Sequence, residues 1–160
     1  MMWWLLACGT PAADNAAATI VVPTEGPWTV HWAQTYGGDC VLAEMDTRQP
    51  ADIGWRLELE ANGFTFYDEF DYPVGCDLEE GVFVCYLGTY PIEWDGYDAR
   101  ESITTQIDGA FDSPDSFAGT YSIHADCDGG DCGLIRTQYG DDFHYPCTAL
   151  ADMTGESGER

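Results

Sequence analysis

The sequence predicts an all-β domain of about eight antiparallel strands, stapled by disulfides. Three observations carry this. Apolar and polar residues alternate with period two along most of the chain, the pattern of strands with one buried face. Asp, Gly and Pro recur between the alternating stretches, where turns need them. No window of about a dozen residues has a helical 3.6-residue period.

The first strand is expected near 28–35, where Trp28, Val30 and Trp32 alternate with Thr29 and His31. A second is expected near 40–46. The clearest hairpin joins strands near 55–61 and 64–70. Trp55, Leu57, Leu59 and Ala61 share one face, and Arg56, Glu58 and Glu60 the other. Asn62-Gly63 follows, a turn dipeptide suited to positive φ, and Phe64 and Phe66 resume the apolar face opposite Thr65 and Tyr67. Val82 to Leu87, in the strand near 82–88, is apolar on both faces, as the most buried strand would be. Ile103, Thr105 and Ile107 mark a strand near 102–111; Phe117, Tyr121 and Ile123 mark one near 117–126. The last is expected near 143–149. One apolar face per strand requires two stacked sheets or one sheet closed on itself. Short hairpin links and an even strand number favour a lipocalin-like up-and-down barrel, with a β-sandwich as the alternative.

Seven cysteines are many for 160 residues. Cys8 sits apart in the N-terminal apolar segment; the other six suffice for three disulfides, which implies an oxidising compartment. Cys76 and Cys85 flank the turn-forming Asp77–Gly81 and are expected to close one hairpin. Cys127 and Cys132 flank the short Asp128–Asp131 loop. That leaves Cys40 with Cys147, which a closed barrel brings together because its last strand pairs with its first. Swaps among Cys40, Cys127, Cys132 and Cys147 remain open, since all four would gather at one barrel end. Zinc is a poor alternative, because its sites favour closer cysteine spacing in reducing compartments.

Charge is the extreme feature. Five basic residues, all Arg, face 29 acids, a net charge of −24 with no Lys anywhere. Such a field repels phosphate backbones, so nucleic acid is excluded as a partner, and it attracts cations and basic proteins. The same charge also serves plain solubility.

Met1–Ala7 reads MMWWLLA and ends at Cys8. Leu5-Leu6-Ala7-Cys8 resembles the lipobox of bacterial lipoproteins, a small residue followed by an invariant Cys. The resemblance implies cleavage before Cys8, a diacylglycerol on its sulfur and an acylated new N-terminus, each buried CH₂ of the chains adding about 0.8 kcal/mol of membrane affinity. The segment has no Lys or Arg ahead of its apolar run and is shorter than the usual span of roughly 7–15 residues; a start upstream of Met1 accounts for both. Gly9–Thr24 is Ala-rich with almost no charge and reads as a tether. Gly9, in place of an Asp after the lipidated Cys, implies sorting to the outer membrane by the Gram-negative rule. The expected organisation is a signal peptide at 1–7, lipidated Cys and tether at 8–25, β domain at 26–150 and polar tail at 151–160. The domain resembles uncharacterised bacterial lipoproteins carrying one small cysteine-bearing β domain, through Gly26-Pro27-Trp28-Thr29-Val30, Cys76 to Cys85 with Gly81-Val82-Phe83, and Phe117-Ala118-Gly119-Thr120-Tyr121. That resemblance implies no activity.

Catalytic constellations are weak. No Lys exists for Schiff-base chemistry and no Ser sits in a G-x-S-x-G setting. His31, His124 and His144 fall on polar faces and would form a metal site only on neighbouring strands. Asp68-Glu69-Phe70-Asp71-Tyr72 mixes acids and aromatics as a glycosidase cleft does, yet a chain this acidic makes such clusters by chance. Asp126, Asp128 and Asp131 line a glycine-rich loop that suits structural calcium, although the bidentate Glu of an EF-hand is missing. No other cofactor is expected. The function expected is a non-catalytic, membrane-anchored envelope or interaction module, with a carrier of a small hydrophobic ligand as the alternative and an acidic-cluster hydrolase third.

Overall fold

Period-two alternation resolves into a closed barrel of eight antiparallel strands in a computed structural model describing residues 21–38, 40, 51–140 and 143–158. The strands are β1 (Gly26–Gly38), β2 (Ala51–Glu60), β3 (Gly63–Tyr67), β4 (Pro73–Glu79), β5 (Val82–Glu93), β6 (Arg100–Ser113), β7 (Ser116–Asp128) and β8 (Cys147–Ser157). Each pairs with the next, and β8 closes on β1 with Trp28 opposite Ser157 and Trp32 opposite Met153. The topology is therefore up-and-down, and closure leaves no sheet edge.

Two strand assignments change. β4 lies where no strand was expected; its Pro73 and Gly75 hide an alternation of Val74, Cys76 and Leu78. The last strand starts at Cys147 and runs to Ser157, so residues 151–157, expected as a polar tail, are the closing strand. Its inward residues include Ala149, Ala151, Met153 and Gly155, too small in three of four cases to register as an apolar face. Between β7 and β8 lies a helix, α1 (Cys132–Tyr139), whose eight residues bury only Ile135 and fall below the length a helical period needs. The strand expected near 40–46 lies outside the described residues apart from Cys40.

Val82–Leu87 is not buried on both faces. Phe83 and Cys85 are buried, whereas Val82 and Tyr86 are 56% and 63% exposed, because a barrel wall has one wet side. The β2–β3 hairpin is present, but its two turn residues are Ala61 and Asn62, and Gly63 opens β3 opposite Glu60. Gly63 is needed for close approach: a Cβ there would lie 2.0 Å from the Cys76 carbonyl oxygen. The positive-φ pair belongs to the next hairpin, at Glu80 (φ 52°) and Gly81 (φ 86°), the combination a two-residue type I′ turn requires.

All three disulfides join the expected partners. Cys76–Cys85 spans directly paired positions of β4 and β5. Cys127–Cys132 ties the end of β7 to α1. Cys40–Cys147 links the residue just beyond β1 to the start of β8.

The barrel's two ends differ. One is sealed. Six rings, Trp28, Phe64, Phe66, Phe83, Phe111 and Phe117, pack there with neighbouring centroids 4.9–6.4 Å apart, mostly edge to face, a geometry aromatic rings favour. Gly109 and Gly155 make room for two of them, lying opposite Phe83 and Phe117 across adjacent strands. Residues 21–25 cross this end. Val21 packs against the core, the Thr24 hydroxyl donates to Asp115 (2.6 Å), and the Trp28 indole donates to the Thr24 carbonyl (2.9 Å).

Candidate functional site

At the other end the interior is not filled. β8 lines it with Ala149, Leu150 and Ala151, and beside the two small alanine side chains lies a cavity of about 720 Å³. Trp32, Trp55, Leu87, Ile103, Tyr121 and Ile123 form its walls, so the lining is mainly apolar. Six of the eight strands contribute, which makes it a barrel mouth and not a surface groove. Trp32 packs edge-on against Trp55 (6.1 Å) and Tyr121 (4.6 Å). Thr105, also buried, adds a hydroxyl to the wall. Asp68, Glu69, Phe70 and Tyr90 form the rim; Phe70 and Tyr90 are both highly exposed.

The rim is ordered by its own sequence. The Asp68 carboxylate accepts the backbone N–H groups of Phe70 (2.8 Å) and Tyr72 (2.9 Å), while Asp71 adopts φ 61°. This is an Asx-type turn, for which Asp is suited. The acidic-aromatic stretch 68–72 thus holds a turn, with the Asp68 carboxylate bonded to backbone.

Beside the cavity the mouth is capped. Phe143 is buried with Ala125 and Cys147, and Tyr139 and Tyr145 pack against them. Glu101, two residues from Ile103 on the inward face of β6, is fully buried and accepts hydrogen bonds from the Tyr139 and Tyr145 hydroxyls, each 2.9 Å. Burial first, then the bond to Glu101 and its nearby charge, raises the Tyr145 hydroxyl far above its usual pKa, so it remains a donor. A buried carboxyl held by two hydroxyls satisfies what burial demands of a polar group. The cluster fastens the cap to the barrel wall, and sequence reading missed it because Glu101 sits in an otherwise ordinary alternation.

The expected metal ligands fall out differently. Asp131 turns to the 94–99 loop: its carboxylate accepts the Asp98 N–H (2.8 Å), and the Asp98 carboxylate accepts the Gly130 N–H (3.1 Å). Asp126 accepts the N–H of Cys127 (2.7 Å). Among the described residues no three His, Cys, Asp or Glu side chains converge as a metal site. The histidines also stay apart. His31 bonds to Asp52 (2.6 Å) and His124 to Thr148 (3.1 Å). Their partners on β8, Thr154 and Thr148, are six residues apart, roughly 20 Å along a strand. Cys8, the signal segment 1–7 and most of the tether lie outside the described residues. Among the described residues no helix is long and apolar enough to cross a membrane.

No protein-family model matches the chain, and neither a curated protein nor a solved structure does. The cavity and its walls are the basis for any functional assignment.

Proposed function

We propose that this chain is a lipid-anchored, non-catalytic binding module of the bacterial envelope, and that its barrel carries a small hydrophobic molecule in the mouth. The carrier is the second of the three functions expected from the sequence. The observation that raises it is the 720 Å³ cavity, within the range of about 300–1,000 Å³ of small-molecule pockets. A barrel filled to both ends would leave only the interaction module. Anchoring through Cys8 and an outer-membrane location rest on the lipobox resemblance, and three disulfides suit an extracytoplasmic compartment. The exposed Phe70, Tyr72, Tyr86 and Tyr90 favour a protein partner as a second reading.

The test is titration with the neutral fluorophore 6-propionyl-2-dimethylaminonaphthalene, which is smaller than the cavity. Saturable binding is expected, with a blue shift of the dye and quenching of tryptophan emission, since Trp32 and Trp55 line the cavity. A folded protein that leaves the dye in water up to its solubility limit would remove the carrier reading.

A further inference from the structure

A barrel strand has a wet face and a dry one, and at the far end of β5 the dry one is uncovered. β4 pairs with β5 as far as Cys85; from Tyr86 to Glu93, among the described residues, β5 pairs with β6 alone. The register shift between Tyr86 and Gly88 sets Tyr90 opposite Ile103 and Ile92 opposite Glu101, both on the inward side of β6. The cap covers Glu101 with Tyr139 and Tyr145. The inward residues of β5 beside it stay wet: Tyr90 is 57% and Ile92 37% exposed. Phe70 shares the rim of the mouth with Tyr90 and packs 6.5 Å from Tyr72, and these two rings are more exposed still. Large apolar side chains gathered on one exposed rim mark an interaction site.

Charge decides what kind of partner fits. Glu69 lines the same rim, and Glu93 and Asp95 follow Ile92 at the hairpin tip. The whole chain holds 29 acids against five Arg, so no placement of its own cations neutralises this field. A like-charged partner is repelled, a second copy of this chain first of all, and a cationic one is attracted. The chain also shows how its surface grips a guanidinium. Beside the 68–72 turn, the Arg56 guanidinium carbon lies 4.0 Å from the centre of the Tyr67 ring, and the group pairs with Asp71 (3.5 Å) and Glu58. A ring and a carboxylate together suit Arg better than Lys, since the planar group stacks on the ring and is more weakly hydrated. On the rim, Phe70 and Tyr90 stand with Glu69 along one mouth.

We propose that the exposed rim formed by Phe70, Tyr72, Tyr90 and Ile92 is a docking surface for an arginine-rich segment of a partner protein. This rests on the protein-partner reading, to which it gives a surface and a chemistry, and it stands apart from the carrier reading.

The probes are the peptides nona-arginine and nona-lysine, titrated calorimetrically in about 0.15 M salt, where diffuse attraction is screened. Phe70→Ser/Tyr90→Thr leaves the net charge unchanged. It is expected to weaken nona-arginine about tenfold and nona-lysine by less than about threefold. Glu69→Gln/Glu93→Gln is expected to weaken both peptides. Asp108→Asn/Asp152→Asn removes the same charge from exposed positions of β6 and β8, and is expected to change neither peptide by more than about twofold. No binding of nona-arginine to wild type, or equal losses in the two charge variants with none in Phe70→Ser/Tyr90→Thr, would overturn the surface. Equal losses of both peptides in Phe70→Ser/Tyr90→Thr would overturn the arginine preference. Should that variant not fold, amide shifts of wild type with nona-arginine decide. Changes confined to residues 68–72 and 88–97 support the proposal, and changes spread over the whole acidic surface overturn it. A wild-type dimer in sedimentation, lost in the aromatic variant, would give the rim to a second copy and overturn the arginine-rich segment alone. Binding to zwitterionic vesicles, lost in the same variant, would give the rim to lipid and remove the protein-partner reading itself.

Discussion

Filling the mouth should stabilise the protein and weaken ligand binding together. Ala151 is 7% exposed, lines the cavity and sits opposite Tyr121 on β7. Ala151→Leu adds three carbons to a space already bounded by apolar walls. At about 0.8 kcal/mol per buried CH₂ the transfer gain is at most about 2.4 kcal/mol. Fixing the leucine rotamer costs roughly 0.5–1 kcal/mol, leaving about 1.5 kcal/mol of added stability. For a domain of this size that raises the melting temperature by roughly 5 °C. The same carbons occupy ligand volume, so dye affinity should fall at least about tenfold. Thermal melts followed by circular dichroism, beside fluorescence titrations, read both quantities on one sample. Destabilisation by more than about 1 kcal/mol would mean that the interior at Ala151 is already filled and the leucine overpacks it. Unchanged dye affinity would place the ligand elsewhere.

Gly155→Ala puts a Cβ 2.0 Å from the Phe117 ring, and should cost about 2–3 kcal/mol in chemical denaturation, an overpacking penalty that Phe117→Leu partly relieves in the double variant. Asp115, at the sealed end, has its carboxyl held below the usual 3.8 by bonds from Thr24 and Ser157. Its contribution to stability is present above that ordinary value and lost as pH falls through the lowered one, so Thr24→Val should flatten the acid limb of stability against pH below about 4. We expect calcium and magnesium at equal ionic strength to shift the melting temperature alike, since Asp131 is already bonded to Asp98; a calcium-selective shift abolished by Asp128→Asn would establish a site at 126–131.

What was legible in the sequence follows the strength of the physical signal at each place. Alternating large apolar residues located β1, β2, β3, β6 and β7, because most of their inward positions carry a ring or branched chain. The disulfides followed from closure: a barrel brings Cys40 and Cys147 together, and a hairpin brings Cys76 and Cys85 together. β8 was cut short because its inward residues include Ala149, Ala151 and Gly155, small for opposite reasons. Gly155 yields its space to Phe117, whereas the alanines yield theirs to no side chain, and what they leave is the cavity. No single-chain pattern separates those cases, since the difference lies in what the neighbouring strand projects across. The cap was invisible for a related reason: Glu101 reads as an ordinary exposed acid until Tyr139 and Tyr145 close over it.

The N-terminal crossing of the sealed end sets how the barrel would stand on a membrane. Residues 21–25 are fixed there by Val21, Thr24 and the Trp28 indole. On the proposed anchor at Cys8, the thirteen residues to Val21 reach at most about 45 Å. β7, with thirteen residues, spans about 40 Å, or roughly 30 Å along the axis of a tilted barrel. A tether well short of that full extension keeps the sealed end the nearer to the lipid, with the mouth opening away from it toward the aqueous side. The absence of Lys makes this measurable. With the N-terminus acylated, Asn62→Lys at the sealed end or Phe70→Lys at the mouth introduces the one amine available to a reactive dye. In zwitterionic vesicles containing a lipid-borne quencher, the dye at position 62 should be quenched more strongly than the dye at position 70. Equal quenching, or stronger quenching at the mouth, would refute this polarity and point to a mouth that loads from the bilayer.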